Sequence, residues 1–281
     1  MERLEEYLRQ AKRLPAGPRI LPQLIELLKK EDANSGNVVH LITFDPALTA
    51  RVLQVCNSAT YAGSQPAADV HQAVARLGFG EVYKIVARVI SEQALAPAQK
   101  GYGIGKGELW EHCGVTAVAA QAIAEDLGLD AQSAFTTGLL HDIGKLILST
   151  VLESTYHQLI EETERKQCSL LEAERTVLGA DHAQVGGRIL AEWKFPAVLI
   201  NAVTHHHDPA AAPAEDRKLA ACVYMANMVA AITGHSYGYQ ALALQGRGEA
   251  LDILGITRDR LPIYMIKTID AARKASLIRA A

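Results

Sequence analysis

Cysteine is scarce in this chain, aromatics are few, and neither charge sign dominates. The four cysteines, Cys56, Cys113, Cys168 and Cys222, are widely scattered. They make no CxxC pair and no disulfide framework, which fits a reduced, cytoplasmic protein with its cysteines as small buried hydrophobes. Lys and Arg number 28 against 31 Asp and Glu, a net charge of −3. A basic stripe is the usual footprint of nucleic-acid binding, so no nucleic-acid partner is expected. No apolar stretch follows a basic start at the N-terminus, so no secretory leader is expected. The apolar runs fall well short of the roughly 18–20 residues of a membrane span, so no membrane association is expected either. Alternating strand patterns and internal repeats are also missing.

What remains is a globular, helical pattern. Hydrophobic residues make up 49 % of 281 residues, enough for one large or two modest cores. Charged, periodic residues 3–13 precede Pro15 and Pro18. Leu21, Leu24, Ile25 and Leu28 form a stripe at helical spacing, and Asn37 can cap a helix through Ile42. Asp45-Pro46 starts another, ending near Asn57-Ser58, and both Asp45 and Asn57 read as caps. Asp69 can cap a helix stopped by Gly78 and Gly80, followed by a helix over 81–95. Further helices are expected over 108–127, 131–138, 154–166, 170–178, from Asp181 to about Trp193, from Pro196, and over 219–233. A glycine-bearing loop at 234–248 precedes short helices near 249–254 and 258–277. The fold class is all-α. The glycine-rich stretch 97–107 separates an N-terminal helical subdomain, 1–100, from a larger one, 101–281.

Six of the ten histidines stand in an ordered series, His112, His141, His182, His205, His206 and His207. Asp142 follows His141 directly, within Gly138-Leu139-Leu140-His141-Asp142-Ile143-Gly144-Lys145. A His-Asp pair after an apolar run, joined by later histidines, is what a buried metal site is assembled from. The mixture of imidazole and carboxylate suits iron, manganese or zinc, one or two ions, better than calcium. Glu108 and His112 are four apart and share a helix face. The remaining histidines His40, His71, His157 and His235 read as surface or satisfied core.

Several strings resemble the HDOD family, the HD-related output domains of bacterial signalling proteins. They are Phe44-Asp45-Pro46-Ala47-Leu48 through Leu53, Asn57-Ser58-Ala59-Thr60-Tyr61, and Ala73-Val74-Ala75-Arg76-Leu77-Gly78. The second half adds Leu109-Trp110-Glu111-His112, the His141-Asp142 string, Asp181-His182-Ala183-Gln184-Val185-Gly186, Trp193-Lys194-Phe195-Pro196 and His206-His207-Asp208-Pro209. The similarity runs over roughly residues 14–230. It implies a multi-helix HD-like domain related to metal-dependent phosphohydrolases, including the HD-GYP branch that hydrolyses cyclic di-GMP.

By that resemblance Glu108, His112, His141, Asp142, His182, His206 and His207 match metal ligands, and adjacent His141 and Asp142 could bridge two ions. Lys145 matches a lysine that holds a phosphate oxygen, so Asp142 and Lys145 are the candidate catalytic groups. The working pair of the triplet is either His206-His207 or His205-His206. Two departures stand out: Asn227 occupies the place of a later ligand Asp and would be a weak ligand, and no Gly-Tyr-Pro motif follows the histidine pair. The same cluster could equally be a metal-free hydrogen-bonded relic. Two functions follow. One is a signalling module that binds a partner protein or a nucleotide-like ligand. The other is a metal-dependent phosphohydrolase acting on a phosphoester or nucleotide.

Overall fold

The computed structural model describes residues 21–22, 25, 39, 42–43, 46–58, 61, 66–152, 156–237, 247–275 and 277. The helix expected over 3–13, most of those expected over 21–30 and 38–42, the cap at Asp45 and loop residues 238–246 lie outside them. The described residues are helical, with one isolated antiparallel bridge between Gln99 and Ile104 and no strand. None of their helices is long and apolar enough to cross a membrane. Contacts divide the chain into two compact units, Pro15–Ala94 and one that includes Leu95–Ala281.

In the first unit, α1 spans Pro46–Cys56 and α2 spans Val70–Leu95. Asp69 caps α2 by accepting the Gln72 N–H at 2.8 Å. The stop expected at Gly78 is present as a kink inside this range: Gly78 takes φ +75°, a conformation cheap only for glycine, and a second helix follows it. Asn57 does not cap a helix. Its side chain grips the backbone of Ala67, accepting the N–H at 2.7 Å and donating to the carbonyl at 2.9 Å, so it pins the connection into α2. Val82, Ile85, Val86, Val89 and Ile90 are buried at helical spacing along α2.

The second unit holds α3 (Glu108–Leu127), α4 (Ala131–Leu140), α5 (Gly144–Leu152), α6 (Tyr156–Lys166), α7 (Leu170–Leu178), α8 (His182–Glu192), α9 (Ala197–Thr204), α10 (Arg217–Ile232), α11 (Arg247–Leu254) and α12 (Leu261–Lys274). Its core packs α3 against α10 through small side chains, among them Ala119, Ala120, Ala124, Ala220 and Ala221. The two helices run antiparallel: the Cys222 thiol donates to the Ala120 carbonyl, while His235, beyond α10, lies beside His112 near the start of α3. Three helix starts are capped: α4 by Asp130, α7 by the capping box Ser169–Glu172, and α8 by the capping box Asp181–Gln184, where Asp181 is the expected cap. Each contributes about 1 kcal/mol. Cys56, Cys113 and Cys222 are buried and Cys168 is half-buried, and all four are free thiols.

One close approach sets the site. A Cβ at Gly144 would lie 2.0 Å from the His182 carbonyl oxygen and 2.8 Å from the Gly186 nitrogen. Only a residue without a side chain lets the His-Asp turn between α4 and α5 press onto the start of α8. That contact brings His141-Asp142 and His182 together.

Candidate metal centre

His112 projects from the first turns of α3, His141 and Asp142 from the α4–α5 turn, His182 from the N-terminus of α8, and His206 and His207 from the turn after α9. All six are buried; His207, at 8 % exposed, is the most open. Their ligand atoms form two groups that share Asp142. One is Asp142, His182, His206 and His207, the other His112, His141 and Asp142, and within each group the atoms lie within 4.8 Å of one another.

The two carboxylate oxygens face different neighbours. Oδ1 is 3.3 Å from His182 Nε2 and 3.9 Å from His206 Nε2. Oδ2 is 3.4 Å from His141 Nε2 and 3.8 Å from His112 Nε2. It also accepts from Lys145 Nζ at 2.7 Å and from the Tyr237 hydroxyl at 2.5 Å.

The outer ring nitrogens decide the tautomers. His112 Nδ1 donates to the His235 carbonyl at 2.6 Å, His141 Nδ1 to Gly138 at 2.8 Å and His206 Nδ1 to Val203 at 2.7 Å. A carbonyl only accepts, so each Nδ1 carries a proton, and in the neutral ring Nε2 turns a bare lone pair inward. His182 Nδ1 donates likewise to the Glu174 carboxylate at 2.8 Å. His112 Nε2 then meets His141 Nε2 at 3.3 Å, lone pair against lone pair. His182 Nε2 meets His207 Nε2 at 2.9 Å, and His206 Nε2 is buried with no hydrogen-bond partner. Such a convergence of bare lone pairs on one carboxylate fits a divalent cation, and the Nδ1–H acceptors are the second shell that metal-binding imidazoles use. Burial adds to this. It lowers the His112 pKa to about 3, with help from His141, and holds His206 and His207 well below the usual histidine range. These rings stay neutral, the form that binds metal. Burial alone would raise the Asp142 pKa, but His141 and Lys145 override it and hold the carboxyl well below its ordinary value.

Glu174 supports His182 from behind. Itself fully buried, it accepts from the His182 backbone N–H at 2.8 Å, from His182 Nδ1, and from the Tyr102 hydroxyl at 2.8 Å. Burial and the Glu174 charge keep that tyrosine protonated. His235, which sequence reading set aside, joins the support: its carbonyl orients His112 and its ring donates to Glu111 at 2.8 Å. Glu174, Tyr237 and His235 carry no spacing signal and were not among the expected site residues.

Two expected residues, Glu108 and His205, lie outside both ligand groups. Glu108 is exposed, its carboxylate turned back to accept the Gly105 N–H at 2.7 Å at the start of α3. His205 is half-buried and outside both ligand groups, while His206 and His207 turn inward. Asn227 is buried on α10, with neither amide atom hydrogen-bonded. Lys145 is buried and held by Asp142 and Tyr237, at 3.0 Å from the latter's hydroxyl.

Several known proteins are similar to this chain. The HDOD domain model matches residues 14–209. The fold is shared with a candidate phosphohydrolase from Shewanella amazonensis, 24 % identical with a TM-score of 0.72 over 96 % of both chains. An HDOD domain protein of unknown function from Geobacter sulfurreducens is 22 % identical, with a TM-score of 0.70 over 97 % of both. A candidate signal transduction protein from Marinobacter aquaeolei, 21 % identical with a TM-score of 0.76, is matched over 98 % of this chain and 63 % of its own. An uncharacterised protein of Treponema pallidum is 25 % identical over 217 residues, 76 % of this chain but 42 % of its own, so the chain spans less than half of that relative. A 97-residue segment is 32 % identical to ribonuclease Y of Aquifex aeolicus, 12 % of that enzyme's length. With more than half its length matched by the family's defining pattern, the chain belongs to the HDOD family.

Proposed function

We propose that this HDOD protein is a bacterial regulatory module whose buried centre holds a divalent transition metal, iron, manganese or zinc, and which acts through contact with a signalling protein. The observation that carries the reading is the set of inward Nε2 atoms around Asp142, each backed by an acceptor on Nδ1. Such a centre suits a cation, and His112, His141, Asp142, His182, His206 and His207 are the residues available to hold one. The regulatory half of the reading rests on closure. The ligands are buried, and Lys145, the candidate phosphate holder, is already spent on Asp142 and Tyr237. A phosphoester reaches such a centre only after rearrangement.

The second reading is a metal-dependent phosphohydrolase for a nucleotide or other phosphoester, with Asp142 and Lys145 at the reacting phosphate. It is favoured by the two ligand groups that share Asp142, since paired ions supply Lewis acidity and a metal-activated nucleophile. The segment similar to ribonuclease Y adds phosphodiesters of RNA to the compounds worth testing.

Metal analysis of untagged protein, joined to a phosphodiester panel, separates the readings. Stoichiometric metal lost in His182→Ala, without turnover by the parent protein, supports the regulatory centre. Turnover lost with the metal supports the hydrolase. Protein that takes up no metal refutes both.

A further inference from the structure

The two halves of the centre are unequal, and the inequality lies in Asp142. Its Oδ1 faces His182 and His206, at 3.3 and 3.9 Å, with His207 beside them. Its Oδ2, the oxygen that His141 and His112 face, already accepts two strong hydrogen bonds, from Lys145 Nζ at 2.7 Å and the Tyr237 hydroxyl at 2.5 Å. The Tyr237 hydroxyl also accepts from Lys145, so the three groups close a triangle beside the His112–His141 pair.

We infer that Lys145 and Tyr237 stand in for a second ion. They occupy the His112–His141 half of the centre, so the protein binds one divalent ion, on His182, His206, His207 and Asp142 Oδ1. This deepens, and rests on, the metal-centre reading proposed above. A metal ion on the His112 side would need Asp142 Oδ2 at about 2.0–2.2 Å. The lysine already lies 2.7 Å from that same oxygen. Two cations on one buried oxygen repel strongly where water cannot screen them. On the Oδ1 side three Nε2 atoms converge, from His182, His206 and His207.

The segment carrying Tyr237 is fastened close to the half it fills. Two residues earlier, the His235 carbonyl accepts from His112 Nδ1 and the His235 ring donates to Glu111. Tyr237 Oη therefore reaches the centre from a backbone anchored on α3, and its ring sits edge-on to His112, 5.2 Å between centroids.

The test is Mn²⁺ titration of the metal-stripped full chain, read by calorimetry and by metal-to-protein ratio after desalting. One ion per chain is expected. His182→Ala should weaken that ion at least tenfold, and His112→Ala should change it less than threefold. The double variant Tyr237→Phe/Lys145→Met removes the hydroxyl and the charge while keeping bulk, and it should take up a second ion. Tyr237→Phe alone, which leaves the buried ring in place, provides the same readout if the double variant folds poorly, with the second ion binding more weakly. Two ions of similar affinity in the parent protein, or equal losses in His112→Ala and His182→Ala, overturn the inference while leaving the metal centre standing. No uptake by any form overturns both.

Discussion

The Tyr237 hydroxyl lies 2.5 Å from Asp142 Oδ2, although 95 positions separate the two residues in the chain. Nothing in the local pattern around Tyr237 marks it. Asp142 is therefore held on one side by a lysine three residues away and on the other by a residue from beyond α10.

Removing the carboxylate isolates a buried charge. Asp142→Ala should destabilise the protein by about 3–5 kcal/mol, because Lys145 is left without its partner. Asp142→Ala/Lys145→Met should recover at least ~1 kcal/mol of that loss, and urea unfolding of the four forms of the cycle measures it. Strict additivity would show that the ion pair carries no coupling.

Glu174 should matter to metal and not only to folding. Glu174→Gln keeps the shape but offers one carbonyl oxygen to three donors, the His182 N–H, His182 Nδ1 and the Tyr102 hydroxyl. Mn²⁺ affinity should fall about 10–100-fold, the usual cost of disturbing a ligand's supporting carboxylate. Unchanged affinity by calorimetry would refute the positioning role.

Gly144→Ala tests the contact that seats the His-Asp turn. Its methyl group would meet the His182 carbonyl at 2.0 Å, so backbone must move. A loss of at least ~3 kcal/mol follows from such overpacking. The corresponding fall in Tm is roughly 6–12 °C for a chain of this size. A neutral substitution would mean that the turn does not rest on α8.

The metal-free protein should weaken in mild acid. His112, at about 3, and the lowered His206 and His207 are neutral when folded, whereas unfolded histidines take up protons near about 6.5. The unfolded chain thus binds more protons below that pH, so this stability is whole above about 6.5 and drains as pH falls towards the folded values. At pH 5.5 the His112 ring alone costs about 1.4 kcal/mol, and His206 and His207 act in the same direction. Urea midpoints at pH 7.5 and 5.5, in chelator, check the direction; equal midpoints would rule it out.

Divalent ions should act the other way. With free Mn²⁺ at 100 times its dissociation constant, binding linkage adds about 2.7 kcal/mol to stability. A millimolar titration that leaves Tm unmoved would count against a working centre.

Much of this was legible in the sequence, for physical reasons. Helix starts at Asp69 and Asp181 are marked by residues whose side chains satisfy exposed backbone N–H groups. The ligands His141 and Asp142 sit in one string, and Gly144 announced the close backbone contact it makes. Other features depend on geometry that spacing does not encode. Glu108 shares a face with His112, yet its carboxylate is drawn to the N–H of Gly105 at the helix start. Which two of His205, His206 and His207 turn inward depends on how the chain leaves α9 after Thr204. Glu174, His235 and Tyr237 reach the cluster only through tertiary packing, as hydrogen-bond acceptors and donors outside any motif.

Asp142, His182, His206 and His207 belong to the turn before α5, the start of α8 and the turn after α9. An ion shared among such segments would act as a staple, closing loops that the unfolded chain must leave open. Detaching it would require several helices to separate at once, so a loaded centre should slow the escape from the native state more than it speeds arrival there. The lifetime of the folded protein, not only its equilibrium, would then report whether the cell has supplied the metal.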